Sequence, residues 1–407
     1  MRFSRPFLLV ALAGFIIPGA RADDFLDRVE EGLTFSGYED KVRVKLSGTL
    51  DLEGYHFWGT APGLIQTTSD DLFNPRLSLF VDAQLGSKVY FFAQSRVDRH
   101  FDPSDHGAQW RLDEYALRYT PWEDGRLSLQ VGQFATVVGR WVERHLSWTN
   151  PFINAPLPYE NITAIDDESA PYTPSLSIGT PTEKYEHNPV IWGPSYASGA
   201  SVAGKIGQFD YAAEVKNASL SSRPESWYVT RRGFDNPTVS GRFGFRPNQS
   251  WNLGFSASDG AYFQSAAAPT LPMARDIGDF HQTVLGQDIS YAFHHLQLWA
   301  EFFEARFEVP GFGDADTFAY YLEAKYSFTP QFVGALRWNQ QFFSDVPNGY
   351  GYGGSAPWGR DIWRTDVAAG YRFTPHTQLK IQYSIQRDNY GLRDLTHMLG
   401  AQFTLRF

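Results

Sequence analysis

Residues 363–373 read WRTDVAAGYRF, and this stretch shows the alternation that decides the fold. Apolar or hydroxyl-bearing side chains occupy its odd-numbered positions, and two arginines and an aspartate occupy even-numbered positions. Successive side chains of a β-strand point to opposite faces, so this strand has one largely apolar face and one charged face. The same alternation occurs in residues 77–85 and 89–98. The chain is therefore predicted to be all-β and built from half-buried strands.

The connections between the predicted strands alternate in length. Short links such as 85–88 and 207–208 alternate with longer ones such as 59–73 and 140–196. An up-and-down membrane barrel with tight periplasmic turns and long outer loops requires this asymmetry. No stretch beyond the N-terminal leader reaches the roughly eighteen apolar residues of a membrane helix. The sequence predicts an antiparallel membrane-spanning β-barrel of about sixteen strands.

An aromatic residue precedes a proline-containing short turn at four places in the chain. These places are Tyr119-Thr120-Pro121, Phe245-Arg246-Pro247, Phe328-Thr329-Pro330 and Phe373-Thr374-Pro375. Proline ends a strand because it has no N–H to donate to a neighbouring strand. A soluble β-protein can also place aromatic residues at strand ends. Four copies at one class of turn nevertheless favour an aromatic girdle at a membrane interface.

The first 22 residues are predicted to be a secretory signal peptide. Arg2 and Arg5 provide a positive start, residues 6–17 form an apolar core, and Ala20-Arg21-Ala22 matches a cleavage pattern. The mature chain is predicted to contain a short periplasmic N-terminal segment, 23–41, followed by a barrel, 42–407.

The composition excludes several classes of function. The chain has 35 Lys and Arg against 45 Asp and Glu, so nucleic acid is not an expected partner. It has no cysteine, which rules out a disulfide framework, a thiolate metal site and an iron–sulfur cluster. We therefore expect no cofactor and no bound metal.

The last eight residues, 400–407, read GAQFTLRF. Phe403, Leu405 and Phe407 share one face, and an aromatic residue ends the chain. Together with the leader and the alternation of short and long links, this end resembles bacterial outer-membrane porins of the sixteen-stranded type. The resemblance implies a location in the outer membrane, contact with its lipid, and a homotrimer. It also implies that these three residues are the signal that the barrel-assembly machinery recognises.

The longest connection, 140–196, follows the fifth predicted strand. In the porins that the chain resembles, the loop at this place folds into the lumen and narrows it. Its prolines and aromatic residues indicate a packed irregular loop, and loops of this length are usually functional. We expect it to form a pore constriction; the alternative is an outer loop that caps the barrel or contacts a neighbouring subunit. The charged residues expected at the constriction are Arg140, Glu143, Arg144, Glu160, Asp166, Asp167 and Glu168.

The lumen wall is predicted to be rich in basic residues. They are Arg96, Arg118, Arg242, Lys325, Arg337, Arg364, Arg372 and Lys380. Acids on the long loop facing these side chains would set a transverse field across a narrow pore. The alternative is that the wall charges are solvated and pair with one another. Because residues 140–196 contain three basic and seven acidic residues, we expect weak selectivity that favours cations.

These observations predict a porin, a water-filled channel for passive diffusion of small hydrophilic solutes and ions. A substrate-preferring channel is the first alternative, because aromatic residues could stack on sugars and arginines could bind phosphate or carboxylate solutes. A barrel that sheathes a partner protein is the second. His145 and Ser147 lie on the same loop as Asp166 and Asp167, but neighbours on one loop are weak evidence for a catalytic triad, which is recognised by geometry, so we do not expect an enzyme. No catalytic, cofactor-binding or metal-binding residue is predicted.

Overall fold

A computed structural model describes residues 19–39, 41–99, 103–171, 184–311, 313–347, 354–389 and 395–407. Sixteen strands pair antiparallel in chain order, and the last strand pairs with the first, which closes a barrel. The strands are β1 (Val42–Trp58), β2 (Asp71–Leu85), β3 (Val89–Arg99), β4 (Ala108–Tyr119), β5 (Ser128–Gln133), β6 (Ser198–Ile206), β7 (Phe209–Lys216), β8 (Thr238–Phe245), β9 (Trp251–Ala261), β10 (His281–Phe293), β11 (Leu296–Val309), β12 (Gly313–Ser327), β13 (Phe332–Phe343), β14 (Ile362–Thr374), β15 (Thr377–Asp388) and β16 (Thr396–Arg406). The predicted all-β barrel of sixteen strands is confirmed.

The tight connections lie together at one edge of the barrel. Residues 86–88 join β2 to β3, 207–208 join β6 to β7, and 294–295 join β10 to β11. Gly207 (φ 61°) and His294 (φ 51°) adopt the left-handed conformation that two-residue hairpin turns favour. The first strand begins and the last strand ends at this same edge, which we call the tight-turn edge.

The two faces of the barrel differ in polarity. In β14, the odd-numbered residues point outward, and Val367 among them is exposed. The even-numbered residues point inward, and Arg364 and Asp366 are completely buried there. An apolar exterior around a polar interior is the pattern of a membrane barrel.

At the far ends of β11 and β12 this polarity is reversed. Arg306 and Asp316 point outward and pair with each other, whereas Phe307 points inward and is buried. The apolar outer band runs from Phe318 of β12 down to Phe328, the residue after the strand, and both side chains are exposed. Ten residues rising about 3.3 Å each, in a strand tilted by about 40°, span about 25 Å, the height of the apolar band in outer-membrane barrels. Both strands therefore continue beyond this band.

A helix and a short strand precede the barrel. The helix, α1 (Gly19–Gly32), lies at the tight-turn edge, and strand Thr34–Gly37 pairs with the beginning of β1. There Glu30 accepts a hydrogen bond from Lys45 at 2.5 Å. The predicted signal peptide, 1–22, lies mostly outside the described residues. None of the helices within the described ranges is long and apolar enough to cross a membrane.

The remaining short elements lie in the long connections. They are helix α2 (Leu157–Glu160), the 3-10 helices Trp141–Arg144, Lys184–Glu186, Pro224–Trp227, Ser265–Thr270 and Ile277–Asp279, and a hairpin of Asp345–Pro347 with Ser355–Pro357. Apolar clusters join these connections to the inner faces of the strands. In one cluster, Tyr262 and Trp358 pack around Phe307 of β11.

Candidate functional site

The connection between β5 and β6, residues 134–197, bonds to inward-facing side chains of the barrel. We call it the β5–β6 segment. Near its start, the Thr136 hydroxyl donates to Glu214 of β7 at 2.7 Å. Near its end, the carbonyl of Val190 accepts from Gln282 of β10 at 2.7 Å. Between these points the segment reaches strands β11 to β15, so its contacts extend around much of the inner wall.

Glu301 of β11 anchors the beginning of the segment. Its buried carboxylate accepts hydrogen bonds from the backbone N–H groups of Arg140 (2.9 Å) and Trp141 (2.6 Å). The hydroxyl groups of Tyr321 and Tyr159 also donate to it, the former at 2.7 Å. These four donors replace the water that the buried carboxylate has lost. The hydrogen bonds therefore fix the position of the segment backbone at residues 140–141.

Arg144 reaches from the segment to the barrel wall. Its guanidinium pairs with Glu323 of β12 at 2.5 Å and lies over the ring of Trp299 at 4.3 Å. The base therefore belongs to the segment and the acid to the wall, the reverse of the expected arrangement. Arg140 pairs with Glu143, three residues away on the same segment, at 2.8 Å.

Lys380 of β15 holds the middle of the segment through backbone carbonyls. Its ammonium donates to the carbonyl oxygens of Ser147 (2.8 Å), Asn150 (3.0 Å) and Phe152 (3.2 Å). The neighbouring inward residue, Gln382, accepts from the backbone N–H of residue 153 at 2.6 Å. Lys380 thus faces inward as predicted from the alternation, but the segment covers its charge.

Glu160 is the acid of the segment that pairs with a predicted wall arginine. Its carboxylate lies 2.5 Å from the guanidinium of Arg364, which also pairs with Asp366 at 3.1 Å. Asp366 in turn accepts from Arg337 at 2.8 Å, and all four side chains are buried. Burial raises the pKa of Glu160, whereas the Arg364 charge stabilises its carboxylate form. This chain of alternating charges fastens the segment to β13 and β14.

Lys184, near the far end of the segment, binds the connection between β1 and β2. Its buried ammonium donates to the carbonyl oxygens of Ala61 (2.6 Å), Gly63 (2.7 Å) and Ile65 (2.9 Å). Burial lowers the pKa of Lys184 to about 8. The lysine therefore joins two long connections by satisfying carbonyls that have no strand partner.

Asp166, Asp167 and Glu168 do not face the wall arginines. All three surround Arg223, with Asp167 at 2.5 Å, and Arg223 belongs to the connection between β7 and β8. The expectation that these acids oppose wall arginines is wrong, because a basic residue of another long connection compensates them. Burial raises the pKa of Asp166.

Arginines on β2 and β3 pair with buried acids and are more accessible than these acids. Arg76 pairs with Asp51 (3.3 Å) and Glu53 (2.6 Å), and Arg96 pairs with Asp98 (3.1 Å). The arginine side chains are 16% and 20% exposed, whereas the three acids are 1% exposed or less. In these ion pairs the basic side chains are therefore the accessible ones.

The other predicted wall residues divide into two groups. Arg242 of β8 pairs with Asp210 and Asp288, each at 2.7 Å. Arg118, Lys325 and Arg372 lie close to the tight-turn edge on β4, β12 and β14.

Three residues that organise the interior were not predicted: Glu301, Lys184 and Arg76. Glu301 is the only acid on the inward face of β11 from Trp299 to Val309, and that isolation could have marked it. Nothing local marks Lys184, because its acceptors lie about 120 residues away in the chain.

The histidine, serine and aspartate considered as a catalytic group each bond to a different set of partners. His145 bonds to the carbonyl of Val142 and to the hydroxyl of Tyr196, each at 2.5 Å. The carbonyl of Ser147 accepts from Lys380, and Asp166 pairs with Arg223. Across the described ranges, no group of three or more histidines and acids is placed to hold a metal ion.

The predicted assembly signal lies on the last strand. Phe403, Leu405 and Phe407 occupy outward positions of β16 and its end at the tight-turn edge. The backbone of Phe407 exchanges two hydrogen bonds with Gly48 of β1, at 2.9 and 3.0 Å. The terminal residue therefore helps close the seam of the barrel.

Comparison with known proteins supports the fold. No protein-family model and no curated protein matches the chain. Among solved structures, the outer-membrane channel DcaP of Acinetobacter baumannii is similar, with 10% identity, a TM-score of 0.56, and coverage of 92% of this chain and 99% of that chain. The anion-selective porin from Comamonas acidovorans has 11% identity, a TM-score of 0.55, and coverage of 90% and 100%. OmpF of Salmonella typhi, in complex with daunomycin, has 12% identity, a TM-score of 0.54, and coverage of 92% and 100%.

At these identities the likeness concerns the fold. The resemblance to sixteen-stranded outer-membrane porins that the sequence indicated is confirmed at that level.

Proposed function

We propose that this protein is an outer-membrane porin, a water-filled channel through which small hydrophilic solutes and ions diffuse passively. The observation that carries the proposal is a closed barrel with an apolar exterior and a charged interior. Charged side chains on the inner face would be costly in a barrel that excluded water, unless each had a partner. Several of them are paired with acids and still partly accessible, including Lys45, Arg76 and Arg96.

The β5–β6 segment is proposed to narrow the channel. Most of its anchors lie on β10 to β15, where wall residues such as Arg337 and Arg364 are completely buried. Partly accessible charged side chains such as Arg76 and Arg96 lie on β2 and β3, so the passage would run along that side. Arg140 and Arg144 of the segment keep 19% and 11% of their side-chain surface exposed, although Arg144 pairs with Glu323 of β12.

Location and assembly are proposed on the same grounds. The apolar outer band of about 25 Å fits an outer membrane, and lipid would contact it directly. One of the similar structures, OmpT of Vibrio cholerae, is described in a trimer form. We propose a homotrimer here, and Phe403, Leu405 and Phe407 as the signal for the barrel-assembly machinery.

Planar-bilayer recording tests the channel. The folded protein should produce stepwise increases in conductance, and liposomes containing it should swell in isosmotic sugar solution. The same preparation after heat denaturation is the control. If the folded barrel neither conducts nor admits sugar, the channel proposal is wrong, and a sheath for a partner protein becomes the better explanation.

A further inference from the structure

The inward-facing charges of the strands are sorted by their distance from the tight-turn edge. Within three residues of that edge they comprise nine bases, Arg43, Lys45, Arg118, Lys205, Arg242, Lys325, Arg372, Lys380 and Arg406, and two acids, Asp82 and Asp210. Deeper in the described strands there are six bases, Arg76, Arg96, Arg111, Lys216, Arg337 and Arg364, and eleven acids, Asp51, Glu53, Asp98, Asp113, Glu114, Glu214, Asp288, Glu301, Glu323, Asp366 and Asp388. The tight-turn mouth of the lumen is therefore strongly basic, although the chain as a whole is acidic.

The basic residues at the two levels differ in their pairing. Each of the six deeper bases forms an ion pair with a carboxylate. At the mouth, Lys45 and Arg242 are paired and Lys380 is capped by carbonyls. No ion pair joins the other six mouth bases to any residue within the described ranges. Compensation by acids is thus incomplete where the lumen opens.

Two of these bases share one aromatic ring of the β5–β6 segment. The guanidinium of Arg372 lies 4.7 Å from the ring centre of Trp148, and that of Arg406 lies 5.2 Å from it. Lys380 and Gln378 hold the ring in place by donating to the carbonyl of Ser147, at 2.8 and 2.9 Å. Stacking on a ring positions a guanidinium and leaves its N–H edge available to a planar or tetrahedral oxyanion.

The same mouth already holds two carboxylates of the chain itself. Glu30 of α1 lies 2.5 Å from Lys45, and Asp27 lies 2.8 Å from His376. Nδ1 of that histidine faces the carbonyl oxygen of Arg406 at 2.9 Å. Two acidic groups of the chain are therefore already bound at this mouth, one by Lys45 and one by His376.

We infer that the tight-turn mouth contains a binding site for small oxyanions, formed by Arg372 and Arg406 on either side of β15 and positioned by Trp148. Its ligand would be a solute with a carboxylate or phosphate group, which guanidiniums bind through paired hydrogen bonds. The assignment differs from the cation preference expected from the charge of residues 140–196. Five acids of that segment pair with Arg140, Arg223 or Arg364, whereas seven of the nine mouth bases, Lys380 included, form no ion pair within the described ranges. As a site on a solute route, it rests on the proposed channel function; as a binding site, it does not.

Calorimetric titration of the detergent-solubilised barrel with inorganic phosphate tests binding without a requirement for conduction. The double substitution Arg372→Gln/Arg406→Gln should weaken phosphate affinity by about tenfold or more. The matched control Arg43→Gln/Lys205→Gln removes two charges from the same mouth level and should weaken it less than about threefold, since distant exposed charges are screened. The double lysine variant Arg372→Lys/Arg406→Lys should lose an intermediate amount of phosphate affinity, because it keeps the two charges but loses the paired hydrogen bonds. Retention of the heat-modifiable folded band shows that each variant is folded.

If the two glutamine double variants lose the same amount of phosphate affinity, diffuse charge attracts the anion. If the unmodified protein does not bind phosphate, there is no site. Both results would overturn the inference. In bilayers, phosphate added on the tight-turn side should reduce chloride current at lower concentration than phosphate added opposite. A barrel that binds phosphate but does not conduct would refute the channel and support the site. A barrel that conducts but does not bind phosphate would support the channel and refute the site.

Discussion

Replacing Glu160 with glutamine should loosen the β5–β6 segment from the barrel wall. The carboxylate lies 2.5 Å from Arg364, a guanidinium with no exposed surface. Breaking a buried ion pair from one side costs about 3–5 kcal/mol, because the other charge is left uncompensated. Here Arg364 keeps Asp366 at 3.1 Å and the carbonyl of Ala155 at 2.5 Å, so we expect a smaller cost. About 2 kcal/mol would change the docking equilibrium about thirtyfold.

Limited trypsin digestion of the folded barrel measures this equilibrium. Within the described part of the segment, the cleavage sites follow Arg140, Arg144 and Lys184, which are held against the wall or a neighbouring connection. When opening and closing are fast, the rate of cleavage follows the population of the open form. Glu160→Gln should therefore accelerate cleavage about thirtyfold, and Arg364→Gln should do so to a similar extent.

A double-mutant cycle separates the pair from its surroundings. Glu160→Gln/Arg364→Gln should be cleaved more slowly than the two single effects would predict, because neither charge is left buried alone. The control is Glu168→Gln, whose side chain is 48% exposed beside Arg223 and should contribute less than about 1 kcal/mol. Additive single effects, or cleavage of Glu160→Gln at the unmodified rate, would show that this ion pair does not hold the segment.

Three further outcomes are expected. Burial lowers the pKa of His145 to about 4, so an undocked His145 takes up a proton at a higher pH than the docked form does. Acidification from about pH 6.5 to 4 should therefore destabilise docking of the β5–β6 segment by up to about 3 kcal/mol. Hydrogen exchange of the segment, corrected for the intrinsic pH effect, should show this acid sensitivity, and His145→Gln should remove it. Deleting Phe407 removes an outward aromatic and two hydrogen bonds of the barrel seam, so less heat-modifiable barrel should reach the outer membrane, and unchanged assembly at both low and high expression would contradict this. A cysteine at Ile381 should be shielded by lipid, one at Gln382 should react slowly beneath the segment, and one at Arg118 should react readily with a water-soluble thiol reagent; equal labelling would refute the assigned faces.

Much of the barrel could be predicted because its signals are local. The two-residue period of 363–373 reports which side chains share a face, and each tight turn requires only a few neighbouring residues. The inward orientation of Arg337, Arg364 and Arg372 followed from that period alone. The sequence also marked 140–196 as the longest connection, and the structure places its ends at 134 and 197.

The partners of the charged residues could not be predicted in the same way. Glu160 and Arg364 are 204 positions apart, and Arg144 and Glu323 are 179 positions apart. Such pairs form only after the barrel closes and the segment is placed against its wall. Counting charges along residues 140–196 therefore suggested that Asp166, Asp167 and Glu168 face arginines of the barrel wall. In the structure these three acids surround Arg223 of another connection.

The sequence by itself determined that this chain forms a barrel, which faces its strands present, and which side chains point inward, because alternation and turn chemistry act over a few residues. Only the tertiary structure decided which inward charges are compensated. Arg372 and Arg406 lie on different strands and meet over Trp148, which a third part of the chain supplies. Coulomb interactions depend on the distance between charges in space and on their burial, and the separation of two residues along the chain gives neither.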